Sequence, residues 1–170
     1  MIRYQQADPE AADELVRKLT PLLFGFLSSP NHTHTETEDL VQDCWLRIHK
    51  SRHTYRPSEP VLPWIFAIAR HTGLDGYRRR RRLESRELKM ERLPEKPHQA
   101  EESSVELTEE LTRYVERLPH SQREVIMMLK VSGMTLEEVA RATSCTVGSV
   151  KQKAHRAYEK LRRMMGGRHD

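Results

Sequence analysis

The sequence predicts an all-α protein of two small helical domains joined by a flexible linker. Three observations carry that prediction. Apolar residues recur at helical spacing in every segment between the loops. They make up 36% of the 170 residues and are too unevenly distributed for one large core. Between the two apolar-patterned parts lies LESRELKMERLPEKPHQAEES, charged and Pro-containing, with no sustained apolar stripe beyond Leu88 and Leu93. The expected domains are therefore residues 1–82 and 104–170, with residues 83–103 as the linker, helical for at most a turn or two at its start.

The first helix is expected over Pro9 to Leu27, where Leu15, Leu19, Leu22, Leu23 and Phe26 share a face and Pro21 is placed to kink or split it. After the polar loop SSPNHTHTET, a second helix should start near Thr37 or Glu38 and run to Arg52. Leu40, Val41, Cys44, Trp45 and Ile48 form its core stripe, with Asp39, Gln42, Asp43 and Leu46 on the other side. Prolines 57, 60 and 63 make HTYRPSEPVLP a stiff loop. Pro63 suits the first turn of a long helix, WIFAIARHTGLDGYRRRRR, whose core face is Ile65, Ile68, Ala69 and Thr72. Gly73 and Gly76 each weaken that helix by roughly 1 kcal/mol relative to Ala, which packing must offset.

The second domain should open with a helix from Ser104 to Leu118, burying Val105, Leu107, Leu111, Tyr114, Val115 and Leu118 before Pro119 ends it. His120 or Ser121 can cap QREVIMMLKV, which stops at Ser132-Gly133, with glycine where a left-handed turn is needed. Thr135 with Glu138 spells a capping box for LEEVARAT, and Thr146 caps the last helix. That helix has an apolar stripe, Val147, Val150, Ala154, Ala157 and Leu161. Opposite it stand Ser149, Gln152, Lys153 and Arg156, groups that hydrogen-bond base edges and phosphates. Two short helices, a tight turn and a basic third helix read as a helix-turn-helix for duplex DNA.

The net charge of +4 is modest but segregated. Residues 1–50 hold eight acidic and five basic side chains, 70–92 four and nine, 93–117 seven and three, and 146–169 one and seven. Two basic blocks separated by an acidic one suggest two contacts with nucleic acid. The N-terminus is polar and no apolar run approaches the roughly 20 residues of a membrane span, so a cytoplasmic protein without membrane contact of its own is expected. Cys44 and Cys145 have no second Cys or spaced His pair beside them, so buried, reduced structural thiols are expected, with no metal, no cofactor and no catalytic constellation.

EDLVQDCWLRI, PWIFAIARHTGLDGYRRRRR and LPHSQREVIMML...MTLEEVA...TVGSVKQKAHRAYEKL occur in this order. Together they resemble a bacterial RNA polymerase sigma factor of the extracytoplasmic-function type. The resemblance covers most of the chain and implies a region 2-like helical bundle followed by a region 4-like helix-turn-helix. It implies a transcription initiation factor that binds core RNA polymerase, recognises two promoter elements and melts the downstream one. The implied docking surface for the clamp helices of the largest polymerase subunit comprises Asp39, Gln42, Asp43, Leu46 and Arg47. A second polymerase contact, to the flap of the second-largest subunit, and an anti-sigma factor are implied partners, with promoter DNA.

The implied capture pocket for a flipped base of the downstream element is Tyr55, Arg56, Ser58 and Glu59. On the melting helix, Trp64, His71, Asp75 and Arg78 lie at near-helical spacing, joined by Arg70 and Arg79, and Trp64 serves equally well as a cap on the core. The run Arg78 to Arg82 is placed for phosphate contact. In the last helix Ser149, Gln152, Lys153 and Arg156 should enter the major groove, while Lys151, His155, Arg162 and Arg163 meet phosphates. The chain reads GSVKQK where the family usually has GTVKSR, so no promoter sequence carries over. The alternatives weighed are a stand-alone helix-turn-helix regulator and a small metal-dependent nuclease, the latter disfavoured because nothing completes a site around Asp39 and Asp43.

Overall fold

The computed structural model describes residues 1–29, 32–87 and 109–166, and among these all regular structure is helical. Most of the segment read as the linker, together with Val105 and Leu107, lies outside the described residues. The tertiary contacts divide the chain into two compact units, Met1–Pro57 with Ile68–Glu102, and Ser58–Ala67 with Ser103–Asp170.

In the first unit, α1 (Ile2–Gln5) is a single turn that the sequence reading did not anticipate. It ends with Ala7 at φ 62, where Ala7 N–H donates to the Tyr4 carbonyl and Asp8 N–H to that of Arg3. Asp8 then caps α2 (Pro9–Leu27) by accepting from Ala11 N–H at 3.1 Å. The helix runs unbroken through Pro21, which neither splits nor ends it. Leu19, Leu23, Phe26 and Leu27 are buried.

Helix α3 (His34–Ser51) begins some three residues earlier than expected, because the cap is a capping box the reading overlooked. Glu36 N–H donates to Thr33 Oγ1 at 3.1 Å, and Thr33 N–H donates to Glu36 Oε2 at 2.7 Å. The helix buries Thr37, Leu40, Val41, Cys44 and Ile48, and closes in a 3₁₀ turn, Arg52–Thr54. Trp45 is half-buried, its indole N–H donating to Thr20 Oγ1 at 3.0 Å across to α2. Helix α1 earns its place at this end of the unit. Tyr4 Oη is 2.9 Å from His49 Nδ1, and the Gln5 side-chain amide donates to the carbonyls of Arg52 and Tyr55.

Helix α4 (Val61–Glu87) holds Pro63 in its first turn, as expected, and continues past Arg82. Its glycines explain themselves in contact. A Cβ on Gly73 would come 3.3 Å from Leu27 Cδ2 of α2, and one on Gly76 only 2.6 Å from Leu40 Cδ2 of α3. The helix gives up intrinsic propensity at these two positions to lie close against its neighbours.

In the second unit, α5 (Glu109–Glu116) buries Tyr114 and Val115, and Leu118 follows. Helix α6 (His120–Ile126) starts directly after Pro119, with no side-chain cap from His120 or Ser121. Pro119 stands at the N-cap, its carbonyl accepting from Gln122 N–H at 2.9 Å and Arg123 N–H at 3.0 Å, and the helix starts without the expected hydroxyl or imidazole cap. The last turn, Met127–Val131, widens to a π-helix, with Ser132 N–H donating to the Met127 carbonyl at 3.0 Å, and Gly133 turns the chain at φ +64.

The predicted box is present in α7 (Leu136–Thr143): Glu138 N–H donates to Thr135 Oγ1 and Thr135 N–H to Glu138 Oε2. Helix α7 ends in a Schellman turn, Cys145 N–H to the Ala140 carbonyl and Ser144 N–H to that of Arg141. Ser144 occupies the left-handed position (φ 52) usual for glycine. Thr146 Oγ1 accepts from Ser149 N–H at 3.2 Å at the head of α8 (Val147–Gly166). Helix α8 packs on α5, α6 and α7 through Val150, Ala154, Ala157 and Leu161.

Candidate functional site

Because one stripe of α8 is consumed by the core, its opposite stripe faces outward. Lys151, Gln152, His155 and Arg156 are exposed, and Ser149 is half-exposed behind the Thr146 cap. Lys153 departs from its expected place in a groove-facing set. It is half-buried, and its ammonium donates to Cys145 Sγ at 3.3 Å, lying back against the turn between α7 and α8. His155 stands 3.7 Å from Glu159 one turn on. Arg162 and Arg163 are exposed near the C-terminal end, where cations suit the helix dipole.

On α3 the expected docking residues share an outer face. Asp39 and Gln42 are exposed, and Leu46 leaves 56% of its surface open, the mark of an apolar side chain that the core does not use. Asp43 and Arg47, at the margin of that face, reach toward α4. Arg47 Nη1 donates to Asp75 Oδ2 at 2.7 Å, and Arg79 lies 3.8 Å from Asp43. Arg80, in the middle of the arginine run, bonds both oxygens of Glu36 at 2.9 and 3.1 Å. The Arg47 guanidinium holds the Asp75 carboxyl below the usual carboxylate range.

Along α4, His71, Asp75, Arg78 and Arg79 are exposed, while Trp64 and Arg70 are half-buried. Arg56, Ser58 and Glu59 are exposed in the preceding loop. Tyr55 is not: it is 8% exposed and its carbonyl is held by Gln5, so its ring belongs to the packing and offers no open face for a base. Tyr77, absent from the predicted set, is exposed on α4, with the Arg81 guanidinium 5.9 Å from its ring centroid. Cys44 lies under this surface, and burial pushes its thiol up to about 12, leaving it protonated and inert at neutral pH.

A capped helix-turn-helix with a polar outer stripe, and a separate helix pair carrying an open leucine among acids beside an arginine-rich helix, can be matched against known proteins. Sigma-70 region 2 matches over residues 15–83, and Sigma-70 region 4 over residues 108–161. The ECF RNA polymerase sigma factor RpoE of Cereibacter sphaeroides is 32% identical over 162 residues, 93% of this chain and 88% of the relative. This chain is an ECF-type sigma factor.

RNA polymerase sigma factor CarQ of Myxococcus xanthus is 27% identical over 166 residues, covering 98% of this chain and 95% of its own. The fold matches that of the sigma factor RpoE of Bartonella quintana, solved with the anti-sigma factor NepR (TM-score 0.75, 24% identity, 92% of this chain and 98% of that one). It also matches CnrH, solved with the cytosolic domain of CnrY (TM-score 0.68, 22% identity, 98% and 95%). The sigma factor is therefore an alternative transcription initiation factor, with the two regions that such factors bring to polymerase and promoter. No described helix of it is long and apolar enough to cross a membrane.

Proposed function

We propose a division of labour between the faces of this sigma factor. The outer face of α3, with Asp39, Gln42, Asp43 and Leu46, docks on the clamp helices of the largest polymerase subunit. The observation that carries this reading is Leu46, open at 56% between exposed polar neighbours, because a desolvated leucine ringed by polar groups is how helix docking sites are built. Region 4 meets the flap of the second-largest subunit and reads the upstream element with Ser149, Gln152 and Arg156, while Lys151 and His155 contact phosphates.

The downstream element falls to the loop residues Arg56, Ser58 and Glu59 and to Trp64, Arg70, His71, Arg78 and Arg79 of α4, which hold backbone and unstacked bases. The factor works in the cytoplasm by binding and strand opening rather than by catalysis. An anti-sigma factor covers these surfaces until it is released, as the partners solved with proteins of the same fold suggest.

Leu46→Glu tests the docking face: affinity for core polymerase in a pull-down titration is expected to fall about tenfold or more, with helicity retained. Unchanged affinity removes Leu46 from the interface. A gel shift on promoter DNA with and without core polymerase tests the function as a whole, since tight binding by the free chain favours a stand-alone helix-turn-helix regulator instead.

A further inference from the structure

Arg47 comes from the helix expected to meet polymerase and Asp75 from the helix expected to meet DNA, yet the two bond each other at 2.7 Å. Arg78 Nη1 lies 3.7 Å from the other oxygen of the same carboxylate. Both members of the Arg47–Asp75 pair are partly exposed, 42% and 48%, and an ion pair of that kind adds little to stability. Its geometry has a more direct consequence. Asp75 precedes the run Arg78 to Arg82 by one helical turn, so a free carboxylate there would sit in the field of arginines and repel an approaching phosphate.

We propose that Arg47 is a positioning residue of the DNA interface rather than a polymerase contact. Reaching across from α3, it turns the Asp75 carboxylate away and neutralises it, so that α4 meets the phosphate backbone with its arginines. This rests on the reading of α4 as the downstream-element helix. The pair also links the polymerase-facing helix to the DNA-facing one.

The test uses holoenzyme reconstituted from core polymerase and full-length factor, on a promoter mapped by sequencing RNA 5′ ends. Arg47→Ala is expected to lower promoter occupancy about tenfold at moderate salt, with core affinity retained. Adding Asp75→Asn to Arg47→Ala should restore occupancy, because the carboxylate that Arg47 no longer neutralises, and that otherwise draws on Arg78, is gone, and a misfolded variant would not recover this way. Weakened core binding in Arg47→Ala, or a defect that Asp75→Asn leaves in place, overturns the proposal. Arg78→Ala separates the underlying reading: if it leaves occupancy and its salt dependence unchanged, α4 is not the DNA helix. If Arg78→Ala is impaired and Arg47→Ala is not, the positioning role alone fails.

Discussion

On α8 the groups proposed to meet DNA stand on the outer side of one helix whose inner side is locked into the core, whereas on α3 and α4 the groups proposed to meet polymerase and the downstream element are tied to each other across two helices. The first arrangement is a rigid reading head: a Schellman turn, two side-chain caps and four buried small or branched residues fix the angle of α8, and the outer stripe follows. The second is an electrostatic lattice, Glu36–Arg80, Asp43–Arg79 and Arg47–Asp75–Arg78, laid over the apolar contacts of Leu27 and Leu40 with two glycines. Reading a fixed duplex sequence rewards preorganisation. The task proposed for α3 and α4, holding a polymerase and an opening strand at once, suits charges that are already balanced and can be redistributed.

The largest effect that would sharpen this contrast is a core truncation under the reading head. Leu161→Ala removes an anchor of α8 and is expected to cost about 2–5 kcal/mol, measured by hydrogen exchange of the α8 amides. Protection left intact would mean that the caps, not the core, hold the helix. Next in size, Gln152→Ala with Arg156→Ala should erase upstream-element discrimination by about 1–3 kcal/mol for each base pair read, with core polymerase affinity unaltered. If polymerase affinity falls and discrimination survives, the roles of the two faces are misassigned.

A smaller effect is expected at the α3–α4 contact. Gly76→Ala gains roughly 1 kcal/mol of helix propensity, but its methyl must push aside Leu40 Cδ2 at 2.6 Å, an overpacking of about 1–3 kcal/mol. The net should be a modest loss in denaturant midpoint, and a gain would show that Leu40 changes rotamer at no cost. The smallest effect treats both units alike. Ala7 and Ser144 each hold a left-handed turn at positive φ. Glycine at either position should stabilise by under about 1 kcal/mol, the relieved strain being partly offset by the freer unfolded chain. A thermal melt that moves down for either variant would break the equivalence.

Much of this is legible in the sequence. The core stripes of α3 and α8 were readable because a period of 3.6 places Leu40, Cys44 and Ile48, or Val150, Ala154, Ala157 and Leu161, on one side whatever the neighbours are. The Thr135–Glu138 box and the Thr146 cap are local, three residues apart, and so were visible too. The box at Thr33–Glu36 follows the same rule and was hidden only by its polar surroundings. Helix α1 escaped because four residues leave no period to detect, and its reason for existing lies in His49, Arg52 and Tyr55, far along the chain.

By itself, then, the sequence determined which faces are apolar, where the helix-turn-helix begins and ends, and the family, since these depend on spacing and on bonds within a turn. Only the tertiary structure decided that Tyr55 is packing, that Lys153 leans on Cys145, and that Arg47 belongs to Asp75. Those outcomes depend on which side chain from a distant segment arrives within hydrogen-bond reach, and a charged group on an outer face carries no mark of whether its partner will be solvent, a ligand or a neighbouring helix.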